Sequence, residues 1–431
     1  MKRIGKYIVL PFCISVILFI TATTHPRARI NPLAATATLQ RWPYLQQVTS
    51  DSARVLWTTN FKGSPSLEYG IGSEGQWLSV VSHVVDNGDS DYYQHEAIIT
   101  GLKPKTWYFY NIYDNGVNLT PNEKSWFQTA TTSGEFTFAA WGDSGLCTVE
   151  QFEIRDRLRE RWYDTQLWIH TGDIAYPNGS NDEFGPNGSY DEFEQCHFDV
   201  YQELLSWRPF FPAIGNHEYN TDAGAPFVDI FDLPITPDWD WYLDEVERYY
   251  SFDWGDAHFV MLDSHTPLER VNDAVTNDMA DWLAHDLAND DHTWKIAVIH
   301  RPVYSSSKAH PELDVREKMA PLFEAYGVDL VLSGHNHNYE RTYPIRDEAI
   351  STLRDGGVVY VVTGGGGNQL YGFDGEQWFT AARAVKHHFV TVRVGKCALY
   401  LTAIDKDGNP IDQATLDKCP HQIYLPFVPG G

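Results

Sequence analysis

The sequence predicts two joined parts: a small all-β sandwich and, after it, a larger layered α/β domain. Three observations carry that expectation. From Arg41 to Thr132 short alternating runs are separated by turn residues, which is the rhythm of a small antiparallel sandwich. After Gly134 short apolar runs alternate instead with helical patterns, which reads as helices flanking sheets. The chain has 431 residues, 43% of them hydrophobic and 14% aromatic. That is length for two domains and apolar material for their cores, and it excludes general disorder.

In chain order, the first element lies outside the fold. Lys2, Arg3 and Lys6 precede an apolar run from Ile8 to Ile20, and the small residues Thr21, Ala22 and Thr23 come next. Residues 1–28 therefore read as a secretory signal peptide. The alternative is a membrane anchor, but the run falls short of the roughly 20 residues a spanning helix requires. Residues 29–39 read as a linker, and 40–132 as the sandwich, with strands at Ala53–Thr58, Glu96–Ile99 and Trp107–Ile112 and a turn at Asp114-Asn115-Gly116. No catalytic cluster falls there, so a packing or spacer role is expected.

The larger domain, 133–403, has strand-like runs at Phe136–Ala140, Leu167–Ile169, Phe210–Ile214, Phe259–Leu262, Lys295–Ile299, Leu330–Leu332 and Val358–Val362. Helices are expected at Val149–Trp162, Asn277–Leu287 and Val315–Tyr326. Asn178–Glu194 reads as a loop, and His197 as a loop residue beside Cys196. Gly364–Gly367 lack the Lys-Ser/Thr of a phosphate-binding loop. Residues 404–431 read as a C-terminal hairpin and tail, since the Asp405–Asn409 segment lacks the closing Glu of a calcium loop. Without the leader, four cysteines remain: Cys147, Cys196, Cys397 and Cys419. Pairing Cys147 with Cys196 and Cys397 with Cys419 keeps each bond local. A zinc site lacks any C-x-x-C, and free thiols stay open.

Charge narrows the partners. The 32 Lys+Arg against 58 Asp+Glu give −26, which disfavours nucleic acid and anionic membrane surfaces. An anionic substrate would need local positive charge, and metal ions are the obvious source.

The residues at the ends of the apolar runs carry the chemistry. Phe136–Ala140 leads to Gly142-Asp143, Leu167–Ile169 to Gly172-Asp173 and Tyr176, and Phe210–Ile214 to Gly215-Asn216-His217-Glu218. Lys295–Ile299 ends at His300, and Leu330–Leu332 leads to Gly334-His335-Asn336-His337. Ligands in open α/β sheets gather at the carboxyl ends of strands. Carboxylate, amide, phenol and imidazole donors together suit a pair of borderline-to-hard cations about 3.5–4 Å apart, close enough for one carboxylate to bridge. The glycines are expected to let the backbone turn sharply at these ends.

In this order, GDxG, GDxxY, GNHE, a strand-terminal His and GHxH resemble the calcineurin-like metallophosphoesterase superfamily. Tyr176 in the second motif, the preceding sandwich and the run His335-Asn336-His337-Asn338-Tyr339-Glu340-Arg341 are similar to the purple acid phosphatases. The resemblance implies a four-layer α/β/β/α sandwich behind a fibronectin type III-like domain. It implies a first metal, ferric in the family, on Asp143, Tyr176, His337 and bridging Asp173. A second, Fe, Zn or Mn, would take Asn216, His300, His335 and Asp173. His217 and His310 match residues that meet phosphate and leaving group. Beside His310, Ala309 stands where plant relatives often carry another histidine, and a helix-entry role is the alternative for His310. The implied activity is hydrolysis of phosphate monoesters outside the cytoplasm by a metal-bound hydroxide. Phosphodiester or nucleotide hydrolysis, and an inactive secreted binding module, are the alternatives. His170 is expected to support the site from behind.

Overall fold

The computed structural model describes residues 37–72, 77–85, 92–121, 125–176, 188–235, 247–265, 273–310 and 313–419. The expected signal peptide, most of the linker, most of the Asn178–Glu194 loop and the end of the tail lie outside these residues. No helix among the described residues is long and apolar enough to cross a membrane.

The amino-terminal region forms two antiparallel sheets. One runs Leu39–Gln46, Ser52–Thr59, Tyr93–Thr100, His83–Val85; the other contains Trp77–Val81, Pro65–Gly70, Trp107–Asp114, Val117–Asn118 and Ser125–Gln128. In Trp107–Asp114 alternate residues are buried, so Tyr108, Tyr110 and Ile112 face the core, as a period of two dictates. Hydrogen bonds tie this sandwich to the larger domain. The Gln46 Nε2 donates to Phe210 O (2.8 Å), Tyr44 OH to Ile230 O (2.6 Å) and Tyr110 OH to Ser206 O (2.9 Å). The Trp126 indole stacks on Trp207, ring centroids 4.8 Å apart, and Arg41 pairs with Glu194. The described residues belong to one compact unit.

Two sheets build the rest. The six-stranded sheet runs Phe210–Pro212, Leu167–His170, Phe136–Trp141, His388–Val394, Ala398–Asp405, Pro410–Asp417. Its first three strands are parallel. The seven-stranded sheet runs Tyr250–Trp254, Ala257–Leu262, Trp294–Ile299, Leu330–Ser333, Val359–Thr363, Tyr339–Thr342, Thr380–Ala384, with four central parallel strands. Alternation assigns the faces. Phe259, Met261, Ile296 and Val298 join the core shared with Phe138 and Val392 of the other sheet. Their neighbours Val260, Leu262, Ala297 and Ile299 pack instead on Trp282, Leu283, Met319 and Phe323. Those four belong to the helices Asp273–Asn289 and Leu313–Tyr326. Sheet lies on sheet and helices cover the outside, the layering the sequence predicts.

Two local readings meet the structure differently. His197 is not in a loop: it lies in a one-turn π-helix, Glu194–Phe198, buried against Phe198 and Phe210 with centroids 5.0 and 4.9 Å away. Burial pulls its pKa down to about 3, so it is a neutral core group. The signal was present, since Ser189 and Glu192 open the preceding helix, with Glu192 Oε2 accepting from Ser189 N at 2.9 Å. The cysteines, by contrast, are joined Cys147–Cys196 and Cys397–Cys419, as their local spacing suggested.

Candidate metal centre

Parallel strands in both sheets end at one edge, and the loops leaving them carry the polar side chains. Asp143 follows Phe136–Trp141, Asp173 and Tyr176 follow Leu167–His170, and Asn216 and His217 follow Phe210–Pro212. From the other sheet, His300 follows Trp294–Ile299, while His335 and His337 follow Leu330–Ser333.

All seven expected donors come together. The Tyr176 hydroxyl is 3.2 Å from Asp143 Oδ1 and 2.9 Å from Asp173 Oδ2, and His337 Nε2 is 3.3 Å from Asp143 Oδ1. On the other side His300 Nε2 is 3.1 Å from Asn216 Oδ1 and 3.3 Å from Asp173 Oδ2. Ligand atoms of Asp173, His300 and His335 lie within 4.8 Å of one another. Asp173 therefore stands between two groups of donors.

The imidazoles are fixed from behind. His300 Nδ1 donates to Thr171 O (2.8 Å) and His337 Nδ1 to Gln369 O (2.7 Å), which turns each Nε2 lone pair toward the centre. His170 accepts from Gly172 N at Nδ1 (3.2 Å) and contacts Ser144 Oγ through Nε2 (2.9 Å), so it ties the two Asp loops together. Burial holds its pKa well below the usual histidine value.

Glycines matter here mainly for space. A Cβ at Gly215 would sit 2.2 Å from Asp173 Oδ1, one at Gly334 2.5 Å from Asp143 Oδ2, and one at Gly364 2.7 Å from Asp143 Oδ2. The sharp turns fall on the expected donors themselves: Asp143, Asp173 and His335 have φ of 59°, 56° and 66°.

Four other groups were not assigned roles by the motifs. Glu218 is fully buried and accepts from the backbone N–H of Asp173 (3.0 Å), Ile174 (2.7 Å), Ala175 (3.1 Å) and Gly215 (2.7 Å). Burial, then the nearby Asp173 charge, raises it to about 7. Gly364–Gly367 form the wall behind Asp143, with Gly366 N donating to Gly142 O at 2.9 Å and Asn368 N to Asp143 O at 3.1 Å. Tyr371 lies flat on His337, centroids 4.2 Å apart. Glu340 accepts from Ser306 N at 2.6 Å and so holds the loop between His300 and His310. The signal for the glycine wall was its place after the strand Val359–Thr363, at the same sheet edge.

Of the two further histidines, His217 packs its ring on Tyr176 (4.2 Å) and donates its backbone N–H to Asp173 Oδ1 (3.0 Å). The half-buried ring of His310 lies 4.2 Å from that of His335. Both flank the donor set.

The donor set fits two cations. Three oxygen donors that become anionic, Asp143, Asp173 and Tyr176, crowd one buried point. Burial and the two carboxylates push the Tyr176 phenol well above its usual range. The phenol therefore keeps its proton, donated toward the two carboxylates, and a strong cation bound here would displace that proton and hold the phenolate.

A family model described as calcineurin-like phosphoesterase matches residues 136–339, and one for the purple acid phosphatase N-terminal domain matches residues 43–138. Purple acid phosphatase 18 of Arabidopsis thaliana is 29% identical over 340 residues, 73% of this chain and 68% of its own length. Purple acid phosphatase 21 of the same plant is 31% identical over 286 residues, 64% of this chain and 58% of its own. The chain thus spans less than two thirds of that second relative. A solved purple acid phosphatase from yellow lupin (Lupinus luteus) seeds shares the fold, with a TM-score of 0.74 over 87% of this chain and 74% of its own at 22% identity.

Proposed function

The chain belongs to the purple acid phosphatases, and from that membership we propose that it is an extracytoplasmic phosphatase that hydrolyses phosphate monoesters with a bridged metal pair. One observation carries this reading: Asp173 is shared, touching Tyr176 on one side and His300 on the other. Asp143, Tyr176 and His337 would hold one ion, ferric iron by the chemistry of the phenolate. Asn216, His300 and His335 would hold a divalent Fe, Zn or Mn ion, with Asp173 common to both. When bound, the cations supply local positive charge for the phosphoryl oxygens and lower the pKa of water.

The chain's own groups do the rest. His217, whose backbone is fixed to Asp173, presents its imidazole beside the donors and orients the phosphate. His310, next to His335, stands where a protonated imidazole donates to the leaving alcohol oxygen. Tyr371, near both His337 and His310, walls the leaving-group side. Glu218 holds four backbone amides so that the Asp173 and Asn216 loops keep their spacing. The local charge of the centre is what lets a −26 chain attract an anion. The two disulfides support an oxidising compartment, as does the reading of residues 1–28 as a signal peptide.

Asp173→Asn tests the proposal. Metal content and turnover of a chromogenic phosphate monoester are expected to fall together, turnover by about 100-fold or more, that is about 2.7 kcal/mol. Two metal equivalents and near-normal turnover in the variant would refute the bridging role.

A further inference from the structure

A second convergence of ligand-type side chains lies at the opposite end of the seven-stranded sheet. Asp253 and His258 belong to the hairpin Tyr250–Trp254/Ala257–Leu262, and Asp290 and His292 to the turn after the helix Asp273–Asn289. One ligand atom from each of the four lies within 4.8 Å of all the others. His258 opens the strand Ala257–Leu262, and His292 precedes Trp294–Ile299, whose carboxyl end leads to His300. A six-residue strand such as Trp294–Ile299 puts about 20 Å between the two sites.

The geometry points to a structural transition-metal site, of the kind that takes zinc, built from Asp253, His258, Asp290 and His292. Both imidazoles present Nδ1 to the carboxylates. Asp253 Oδ1 is 2.7 Å from His258 Nδ1 and 3.9 Å from His292 Nδ1. Asp290 Oδ1 is 3.8 Å from the first and 2.5 Å from the second. Zinc with ligands at about 2.0–2.1 Å sets neighbouring tetrahedral ligand atoms about 3.4 Å apart, and these four separations bracket that value. Two neutral imidazoles and two carboxylates give a neutral site around a dication.

Two further observations support a ligand here. The other nitrogen of His258, Nε2, is 2.6 Å from Asp286 Oδ2, and Ser251 Oγ donates to Asp286 Oδ1 at 3.0 Å. This carboxylate–histidine arrangement orients metal-bound imidazoles and raises their basicity. Second, Asp290 is 7% exposed, yet its Oδ2 has no hydrogen-bond partner. The closest ammonium, Lys295 Nζ, is 3.9 Å from that oxygen and donates to Leu287 O at 2.5 Å instead. A buried carboxylate oxygen without a donor is costly unless a cation meets it. Asp253 and His292 also line a cavity of about 430 Å³, which gives an ion its entry path. The rival is a proton-held network, because burial, which lowers the His258 pKa, is outweighed by hydrogen bonds to Asp253 and Asp286 that raise it to about 9.

The test uses the folded protein with its catalytic metals loaded. It is incubated with zinc, freed of excess metal and analysed by mass spectrometry. Wild type should hold one zinc equivalent beyond the catalytic pair, and its melting temperature should rise by about 3 °C or more with zinc. His292→Ala and Asp253→Asn change partly exposed groups, so the fold should survive. Both should lose that equivalent and that shift while kcat/KM on a monoester stays unchanged. Asp173→Asn should lose the catalytic pair yet keep this ion, which separates the two readings. Equal metal content in wild type and His292→Ala, with no melting shift in either, would overturn the site in favour of a proton-held network only.

Discussion

At Asp143, Asp173 and His335 the backbone adopts φ of 59°, 56° and 66°, a region that costs an L-residue about 1–2 kcal/mol. Three such residues in one site mark stored strain, and neighbouring loops hold it: Asn368 N bonds Asp143 O, and Glu218 gathers the amides after Asp173. The motifs were legible because Gly-Asp and Gly-Asn-His directly after apolar runs are local signals. Glu218 and Tyr371 were not, since one acts on four backbone amides and the other by stacking. Neither leaves a mark in spacing. The sharpest residue test is Tyr176→Phe. It removes one oxygen, keeps the ring packed on His217, and takes the phenolate from the proposed ferric ion. The visible charge-transfer band of iron-loaded, oxidised protein is expected to vanish or shift strongly, while the six other proposed ligands sustain much of the turnover. Identical absorption spectra in wild type and variant would exclude Tyr176 as a ligand.

The elements that sequence predicts best are those with both faces buried. Ala257–Leu262, Trp294–Ile299 and Leu330–Ser333 are near-continuous apolar runs, as parallel strands covered on both sides must be. Thr380–Ala384 is half-buried at every position and shows no alternation, so it reads as a strand only through its pairing with Tyr339–Thr342. Pro410–Asp417 forms the expected carboxyl-terminal hairpin with Ala398–Asp405 and is also the edge strand of the six-stranded sheet. It supplies Asp412, which Arg341 Nε meets at 2.6 Å and Tyr339 OH at 2.6 Å. The carboxyl-terminal strand thereby anchors the strand that begins just after His337. Its end is fixed by Cys397–Cys419, and the Asp143 loop by Cys147–Cys196. The chain-entropy model assigns about 4 kcal/mol to the 49-residue separation and about 3 kcal/mol to the 22-residue one. Replacing Cys147 and Cys196 together by Ala should therefore lower the unfolding free energy more than replacing Cys397 and Cys419. Urea unfolding of the two double variants checks the order, and a reversed order would contradict the loop-length argument.

At the scale of the whole molecule, several carboxylates gather around Arg54 where the sandwich meets the larger domain. Arg54 of the sandwich donates to Glu96 at 2.9 Å and to Asp232 at 2.7 Å, and Leu233 N donates to Glu247 Oε1 at 3.1 Å. Burial, then a hydrogen bond with Glu96, raises Asp232 to about 7. Burial raises Glu247 to about 8, with Asp232 and Asp229 adding to the rise, while the Leu233 amide and Arg54 oppose it. The unfolded chain returns these carboxyls to about 4. Between those values the folded protein binds more protons than the unfolded one, so stability falls as pH rises. The contribution is complete below about pH 4 and lost by about pH 8 for Glu247. Through these two carboxyls the junction contributes more stability in acid than at neutral or alkaline pH. Glu247→Gln keeps an oxygen to accept from Leu233 and removes the titration. Wild type should show a lower urea midpoint at pH 8 than at pH 5, and the variant a smaller difference. An identical pH dependence in the two proteins would remove Glu247 from this account and leave Asp232 to carry it.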